Sequence, residues 1–228
     1  MSDAVNADTG GESPGQRTRR YDSTRRRAAA AETRGRILDA ARARFLANGY
    51  TATTVAEIAR DADVVADTIY ATVGRKPALF RELIELSLSG TGRPVPGAQR
   101  DYAVRMRDEP DARDRLRIYA EAVTAIQTRL GPLFLVLREA ATADADLKDL
   151  WSEITDRRAE NMRGLASDLA STGQLRGDLT IDEVADVVWT MNSAEYYAML
   201  VADRGWSSAR FTDWLFDAWC RLLLDETG

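Results

Sequence analysis

Residues 54–77 read TVAEIARDADVVADTIYATVGRKP, and this stretch decides the fold. Thr54 and Glu57 stand three positions apart, which is the spacing of a capping box that opens a helix. The turn that follows contains Asp63, a residue type that tolerates the left-handed backbone conformation better than most. The apolar positions after the turn predict a second short helix over about residues 65–72. We therefore expect two short helices joined by a tight turn.

Longer helices are predicted on both sides of this pair. Upstream, apolar residues repeat every four positions over about residues 33–48, and Gly49 suits the left-handed position past a helix end. Downstream, Pro77 suits the first turn of a fourth helix, which stops at Gly90. Two short helices between two longer ones describe a helix-turn-helix, whose second helix, here residues 65–72, enters the major groove of DNA.

Helical spacing continues through the rest of the chain, and strand-like alternation bounded by turns does not occur. Glycine and proline are concentrated in residues 90–98, which predicts a linker. Beyond the linker, helices are predicted at about 99–108, 111–130, 132–142, 145–171, 181–203 and 208–224. We therefore expect an all-α fold in four segments: a disordered Arg-rich arm (1–30), a helix-turn-helix domain (31–89), the linker (90–98) and a helical domain (99–228).

The net charge of −5 conceals an asymmetry along the chain. Residues 17–81 carry a net charge of +7, whereas residues 82–228 carry −9. A basic segment on an acidic body is typical of a nucleic-acid reader with a separate second module. The arginines of the predicted arm could follow DNA phosphates or enter a minor groove, or they could serve only to solvate a disordered leader. They are Arg17, Arg19, Arg20, Arg25, Arg26 and Arg27.

Composition disfavours several classes of function. The sequence contains no histidine, which removes Ser-His-Asp and Cys-His nucleophile pairs. Its single cysteine, Cys220, leaves too few of the usual ligands for a transition-metal site, so we expect neither a metal nor a cofactor. No run of about 18 apolar residues predicts a membrane span, and no signal pattern opens the chain, so we expect a cytoplasmic protein. We do not expect an enzyme.

Residues 33–85 resemble the tetracycline-repressor (TetR/AcrR) family of bacterial regulators. Four motifs carry the resemblance: ILDAARARFLANGY (37–50), TTVAEIA (53–59), TIY (68–70) and GRKPALF (74–80). The resemblance implies a homodimeric transcriptional regulator, usually a repressor, that binds an inverted-repeat operator in double-stranded DNA. It also implies that a small-molecule effector releases the protein from that operator.

The resemblance assigns DNA contacts residue by residue. Thr54, Tyr70 and Lys76 match the family's phosphate contacts, and Arg75 adds a second cation beside Lys76. Base-edge contacts are expected from the recognition helix, at Val65, Ala66, Asp67, Thr68 and Ala71. Asp67 could accept a hydrogen bond from a cytosine amino group, or it could be only an acid favoured at a helix N-terminus.

Three positions depart from the family's pattern. Val65 stands where a serine or threonine cap is frequent, Asp63 where the turn usually has glycine, and Asp67 where glycine is common. The recognition helix also ends without the family's aromatic residues. The sequence therefore does not predict an operator, and the alternative function is a helical adaptor that binds protein and has lost specific DNA readout.

Polar residues interrupt the apolar stripes of the predicted second domain, which favours a ligand pocket there. A buried charge needs a partner or a ligand, and aromatic side chains would supply apolar walls. The candidate ligand-binding residues are Phe134, Arg138, Trp151, Arg158, Trp189, Asn192, Glu195 and Tyr196. The other interpretation is an internal arginine–glutamate network, or a pair at an interface, without contact to a ligand.

The predicted helices at 181–203 and 208–224 are strongly apolar, and by the resemblance they would form the homodimer. In the second helix, Phe211, Trp214 and Leu215 begin a stripe that repeats at three- and four-residue steps. A stripe so rich in tryptophan is either core or an interface. A twofold dimer would set its two recognition helices about 34–36 Å apart, one turn of DNA.

Overall fold

Ten α-helices make up most of the described residues, together with one 3₁₀ turn and one π-helical turn. The structure, a computed structural model, describes the backbone of residues 14–225 and the side chains of residues 25–225. The helices are α1 (Pro14–Ala52), α2 (Val55–Asp61), α3 (Ala66–Thr72), α4 (Lys76–Ser89), α5 (Asp101–Asp108), α6 (Ala112–Ala140), α7 (Ala145–Ala170), α8 (Ile181–Met191), α9 (Ala194–Tyr197) and α10 (Ser208–Leu223). Within residues 14–225 the only β-type pairing is an isolated bridge between Leu175 and Leu224. The expected all-α fold is confirmed.

Helix α1 begins at Pro14, well before the start near residue 33 that the sequence predicted. Residues 14–30 of the expected disordered arm are thus helical in the structure. Alanine and arginine fill residues 25–31 and are among the strongest helix formers, and neither glycine nor proline interrupts that run.

Only part of the Arg-rich arm falls within the described residues. The arginines at 25–27 are exposed on α1. Residues 1–13 and the side chains of Arg17, Arg19 and Arg20 lie outside the described part of the chain. The expected contact of this arm with DNA therefore stays a prediction.

The first four helices pack around one buried cluster, and this confirms the helix-turn-helix. Ile37, Ile58 and Ile69, which come from α1, α2 and α3, are completely buried. Phe45 and Phe80 meet edge to face with their ring centroids 4.9 Å apart, which joins α1 to α4.

The turns of this domain lie where the sequence predicts them. Asp63 has φ 53°, so its backbone adopts the expected left-handed conformation between α2 and α3. Helix α1 is kinked at Gly49, with φ 75°, and α4 ends at Gly90, with φ 66°. Glycine adopts such angles without a steric cost, because it has no Cβ atom.

The predicted break at Gly131-Pro132 is wrong, because α6 runs through it from Ala112 to Ala140. Pro132 has no N–H group, so the carbonyl of Thr128 loses its helical donor. The turns on either side are nevertheless buried, at Leu130 and Leu133 among others, and packing on both sides keeps the helix continuous.

The single helix predicted at 181–203 is divided into α8, α9 and a π-helical turn at Ala198–Asp203. The division falls at Asn192 and Ser193. The Ser193 hydroxyl accepts a hydrogen bond of 3.1 Å from the backbone N–H of Tyr196, which starts α9 as a new helix. Periodicity alone did not reveal this break, because the apolar stripe passes through it.

The helix-turn-helix and the start of the second helical region share one core. Apolar residues of α1–α4 are contiguous with Leu130, Leu137 and Ile154 from α6 and α7. A separate cluster around Trp219 and Phe211 fills the far end of the helical region. The predicted linker connects α4 to α5, but the two regions also meet directly through the first cluster.

Within the described residues, no helix is both long and apolar enough to cross a membrane.

Candidate nucleic-acid interface and ligand cavity

The start of α2 is fixed by the predicted capping box. The Thr54 hydroxyl accepts a hydrogen bond of 3.2 Å from the backbone N–H of Glu57. The Glu57 carboxylate accepts one of 2.9 Å from the backbone N–H of Thr54 and one of 2.8 Å from its hydroxyl, and these two bonds hold the pKa of Glu57 below its ordinary value. The exposed first turn of α2, whose amides no helical carbonyl satisfies, is thus held in one position.

Arginines of α1 brace the two short helices. Arg44 makes a two-pronged hydrogen bond to Asp61 of α2, at 2.5 and 2.9 Å. Arg34 donates to the carbonyl of Thr72 at the end of α3, at 3.2 Å, and also pairs with Glu82 of α4. The sequence does not reveal the role of these arginines, because their partners lie 17 and 38 positions away along the chain.

Helix α3 buries Ile69 and turns its other side outward. Val65 is 68% exposed and Tyr70 is 50% exposed. Asp67 and Ala71 are exposed, and Ala66 and Thr68 are half-buried. Val65 occupies the N-cap position without a side-chain hydrogen bond, as expected where it replaces a serine or threonine. The predicted base-edge residues therefore share one accessible helix.

The predicted phosphate contacts border a single surface groove. The groove is lined by Val55, Tyr70, Gly74, Arg75, Lys76 and Pro77. The Lys76 ammonium lies 4.1 Å from the centre of the Tyr50 ring, and this cation–π contact holds it in place. Burial lowers the pKa of Lys76. Thr54 does not line the groove itself, but it directly precedes Val55, which does.

A cavity of about 100 Å³ lies in the helical region between α4, α6 and α7. Three of the predicted ligand residues line it: Phe134, Arg158 and Asn192. The sequence did not single out the other residues that line it, which include Tyr119, Gln127 and Met162. They are spaced as ordinary core positions, so periodicity could not separate them from residues that only pack.

A second, more open space adjoins this cavity, because Phe134 and Arg158 line both. The predicted ligand residues Arg138, Trp151, Trp189 and Glu195 lie here. Trp151 stacks on Phe134 with ring centroids 4.8 Å apart. Arg138 and Glu195 form an ion pair of 2.6 Å, so for these two residues the internal arginine–glutamate interpretation is present in the structure.

Tyr196 lines neither of these two spaces. Its hydroxyl accepts a hydrogen bond of 2.7 Å from the indole N–H of Trp214, which ties α9 to α10. The ring also contacts Phe211, at a centroid distance of 6.1 Å. The structure therefore separates Tyr196 from the other seven candidate ligand residues.

Arg158 is the central polar side chain of the cavity. Its Nε donates to Asn192 Oδ1 at 2.8 Å, and its Nη2 donates to the Trp189 carbonyl. Its guanidinium lies over the Trp189 ring, 4.4 Å from the ring centre. Burial lowers the pKa of Arg158, although a guanidinium keeps its charge in a protein. The cavity thus contains a partly buried, permanent cation.

Asn192 extends this polar network inward. Its Nδ2 donates to the Tyr119 hydroxyl at 2.8 Å, and its backbone carbonyl accepts from Nε2 of Gln127. Burial raises the pKa of the Tyr119 hydroxyl, which is therefore neutral. The residues of this network come from α6, α7 and the α8–α9 junction, so the break at Asn192 is a part of the site. Among the described residues no cluster of histidine, cysteine or carboxylate side chains is placed to hold a metal ion.

Helix α4 joins the two sites. Lys76 at its start borders the cationic groove, and Leu88 near its end lines the cavity. Arg157 of α7 pairs with Glu85 of α4 at 2.8 Å, and Arg81 of α4 pairs with Glu153 at 2.6 Å. Helix α4 therefore borders both the groove and the cavity and is tied to α7 by two ion pairs.

These features define a helix-turn-helix protein with a cavity-bearing helical region. Residues 37–83 match the sequence profile of a family described as "Bacterial regulatory proteins, tetR family". Residues 37–83, which extend from α1 into α4, therefore form a DNA-binding domain of the tetR type. None of the curated proteins matches this sequence.

Solved structures with the same fold cover most of the chain. A protein from Saccharomonospora viridis described as a transcriptional regulator, in complex with choline, is 19% identical with a TM-score of 0.64, over 86% of this chain and 99% of that one. NalD, the secondary repressor of the MexAB-OprM multidrug efflux pump in Pseudomonas aeruginosa, is 20% identical with a TM-score of 0.66, over 86% and 99%. A TetR-family regulator from Mesorhizobium loti is 20% identical with a TM-score of 0.61, over 86% and 98%. At these identities the likeness concerns the fold.

Proposed function

We propose that this protein is a cytoplasmic repressor that binds an inverted-repeat operator as a homodimer and leaves it when a small molecule fills the cavity. The observation that carries the proposal is the position of α4, which has Lys76 at the groove and Leu88 at the cavity wall. A helix of its 14 residues spans about 21 Å as a stiff element. Displacement of one end by a ligand moves the other.

The DNA-reading unit comprises residues 31–89, and the effector and dimer unit comprises residues 99–228, with residues 90–98 between them. Thr54, Tyr70, Arg75 and Lys76 position the protein on phosphates, which fixes register but carries no sequence information. The exposed side of α3 then reads base edges in the major groove. The family match does not favour the helical adaptor, the alternative interpretation of the sequence.

Exposed apolar side chains on α8 and α10 support the dimer. Ile181 is 37% exposed, Trp214 is 42% exposed and Leu222 is 44% exposed. A surface with several large apolar side chains is characteristic of a protein interface. We assign this surface to the twofold contact, which pairs two recognition helices on successive major grooves.

Binding of Lys76→Ala to operator DNA tests the phosphate contacts. We expect weaker binding to all DNA sequences. The slope of the logarithm of the binding constant against the logarithm of the salt concentration should become shallower by about one unit, since one phosphate contact is lost. Lys148→Ala on α7 is the matched control, because Lys148 is exposed and lies outside the groove. An unchanged salt dependence for Lys76→Ala would remove this residue from the interface.

A further inference from the structure

The charged side chains that line the cavity are all positive. Three arginines line it, Arg100, Arg157 and Arg158, and none of the described residues that line it is acidic. The remaining walls are largely apolar, from residues such as Val123, Leu130 and Ile154. A space of this kind accommodates an apolar ligand with an anionic group far better than a cation.

Two of these arginines already have partners. Arg157 pairs with Glu85 at 2.8 Å and with Glu153 at 4.0 Å. Arg100 donates to the carbonyl oxygen of Val95 at 3.2 Å, and it borders the cavity from the start of α5. The carboxylates offset the charge of Arg157, and the Val95 carbonyl helps to hold Arg100 in position.

Arg158 differs, because burial lowers its pKa although the acceptors that it contacts are neutral. They are the side-chain oxygen of Asn192 and the backbone carbonyl of Trp189. Glu195 is the carboxylate that could reach it, but this side chain pairs with Arg138. In the part of the chain that the structure describes, no carboxylate forms an ion pair with Arg158. The charge of Glu195 acts on Arg158 without an ion pair, but the effect of burial is larger, so an anion in contact with the guanidinium would offset the remaining cost.

Gln127 provides an independent sign of a ligand in the same cavity. Its side chain is 7% exposed, and its Oε1 is buried without a hydrogen-bond donor among the described residues. The amide orientation is fixed, because Nε2 donates to the carbonyl of Asn192. A buried acceptor left unsatisfied destabilises the protein, so this oxygen favours a ligand that carries a hydrogen-bond donor.

Size limits the ligand further. The cavity of about 100 Å³ is smaller than a protein cavity of about 150 Å³ that binds benzene, but the adjoining space of about 440 Å³, which Arg158 also lines, leaves room for groups attached to one ring. We infer that the effector is a small carboxylic acid with an apolar body of about one ring and a hydroxyl group, held through its carboxylate by Arg158 and through its hydroxyl by Gln127. This inference rests on the proposed function, because it assigns the chemistry of the same effector site.

The test is the binding of defined probes to the full-length protein by isothermal titration calorimetry. We expect benzoate to bind at least tenfold more tightly than benzamide, which has the same shape without the charge. Of 3- and 4-hydroxybenzoate, at least one should bind more tightly than benzoate, because its hydroxyl satisfies Gln127. Choline, a cation, should not bind in the cavity. Equal affinity for benzoate and benzamide, or tighter binding of choline, would overturn the inference.

Variants locate the binding. Arg158→Gln should lose the preference for benzoate over benzamide, whereas Arg163→Gln on the same helix should keep it, since Arg163 is exposed and pairs with Asp182 at 3.0 Å. Gln127→Leu should lose only the preference for the hydroxybenzoates. An anion preference that persists in a folded Arg158→Gln variant would contradict the assignment. The probe comparison in the wild-type protein stands even if a variant does not fold.

Operator binding, followed by fluorescence anisotropy in the same samples, separates this inference from the proposed function. Specific DNA binding with no affinity for any of the acids would overturn the anion site alone. Binding of an acid at Arg158 that leaves the operator complex intact would overturn effector release but support the anion site. Release of the operator by an acid and not by its amide supports both.

Discussion

Arg42 of α1 donates a hydrogen bond of 2.7 Å to the backbone carbonyl of Arg129 in α6. The same guanidinium donates to the hydroxyl of Ser87 in α4, at 3.2 Å. Arg129 in turn donates to the carbonyl of Ser87, also at 3.2 Å. Arg42 and Arg129 thus connect α1, α4 and α6 through hydrogen bonds. Helix α4 is the helix that we propose transmits the effect of ligand binding.

Replacement of Arg42 by alanine should loosen this junction. We expect the free energy of unfolding to fall by about 1.5–3 kcal/mol, as is typical for a hydrogen bond to a charged group, measured by urea denaturation. Arg163→Ala is the control, because an exposed ion pair contributes only about 0–1 kcal/mol. Equal losses in the two variants would mean that the Arg42 contact has no special role.

The two capping boxes separate stability from DNA binding. Thr54 and Thr180 make the same set of hydrogen bonds with Glu57 and Glu183, but only Thr54 directly precedes a residue that lines the groove, Val55. We expect Thr54→Ala and Thr180→Ala each to cost about 0.5–2 kcal/mol of stability, because each removes a helix cap. Only Thr54→Ala should also weaken operator binding in a gel-shift titration. If Thr180→Ala weakens it equally, the Thr54 effect is one of stability alone.

Burial of Tyr50 gives the stability a dependence on alkaline pH. Desolvation raises the pKa of Tyr50 to about 12, with smaller contributions from Asp144 and Asp146. The unfolded chain loses this proton near pH 10, about two units earlier. The contribution of Tyr50 to stability is therefore complete below about pH 10 and is lost as the pH rises towards about 12.

Tyr50→Phe should consequently lose less stability than the wild type between about pH 9 and about pH 11, as measured by urea unfolding at each pH. Phenylalanine keeps the ring face that contacts Lys76. Tyr70→Phe, which removes the hydroxyl of a half-exposed tyrosine and leaves Tyr50 in place, is the matched control. If the free energy of unfolding of Tyr50→Phe falls with pH as it does in the wild type, the Tyr50 hydroxyl is not the cause of the loss of stability at alkaline pH.

The apolar surface of α8 and α10 predicts the oligomeric state. Leu222→Glu should convert the homodimer to monomers of about 25.2 kDa, because a buried unpaired carboxylate is costly at an interface. Val104→Glu on α5 is the control, since Val104 is exposed to a similar extent. Light scattering after size-exclusion chromatography gives both masses. A wild-type protein that is already a monomer would contradict the proposed dimer.

The features that the sequence predicted correctly are mostly local ones, set by residues close together in the chain. The capping box at Thr54 and Glu57, the left-handed turn at Asp63 and the end of α4 at Gly90 depend on residues within a few positions of one another. Each places its own stretch of backbone, so it can be read without knowledge of the partners. The helix-turn-helix was therefore predictable nearly to the residue.

The cavity was predictable only in part, because tertiary contacts define it. Arg158 stood out as a charge on an apolar stripe, but its partner Asn192 lies 34 positions away. Asn192 also donates a hydrogen bond to Tyr119, which lies 73 positions before it in the chain. Asn192 itself stands at a helix break that the apolar pattern did not reveal. Pro132 likewise predicted a helix end that packing on both sides overrides.

Selection of binding sites from a random pool of double-stranded DNA, followed by footprinting, tests the central claim most directly. The wild-type protein should enrich a twofold-symmetric sequence whose half-site centres lie about 10 base pairs or a multiple of this apart. Lys148→Ala should protect that site as the wild type does, and Lys76→Ala should protect it more weakly. Failure to enrich any sequence, or protection that Lys76→Ala leaves unchanged, would contradict the assignment of this surface to operator DNA.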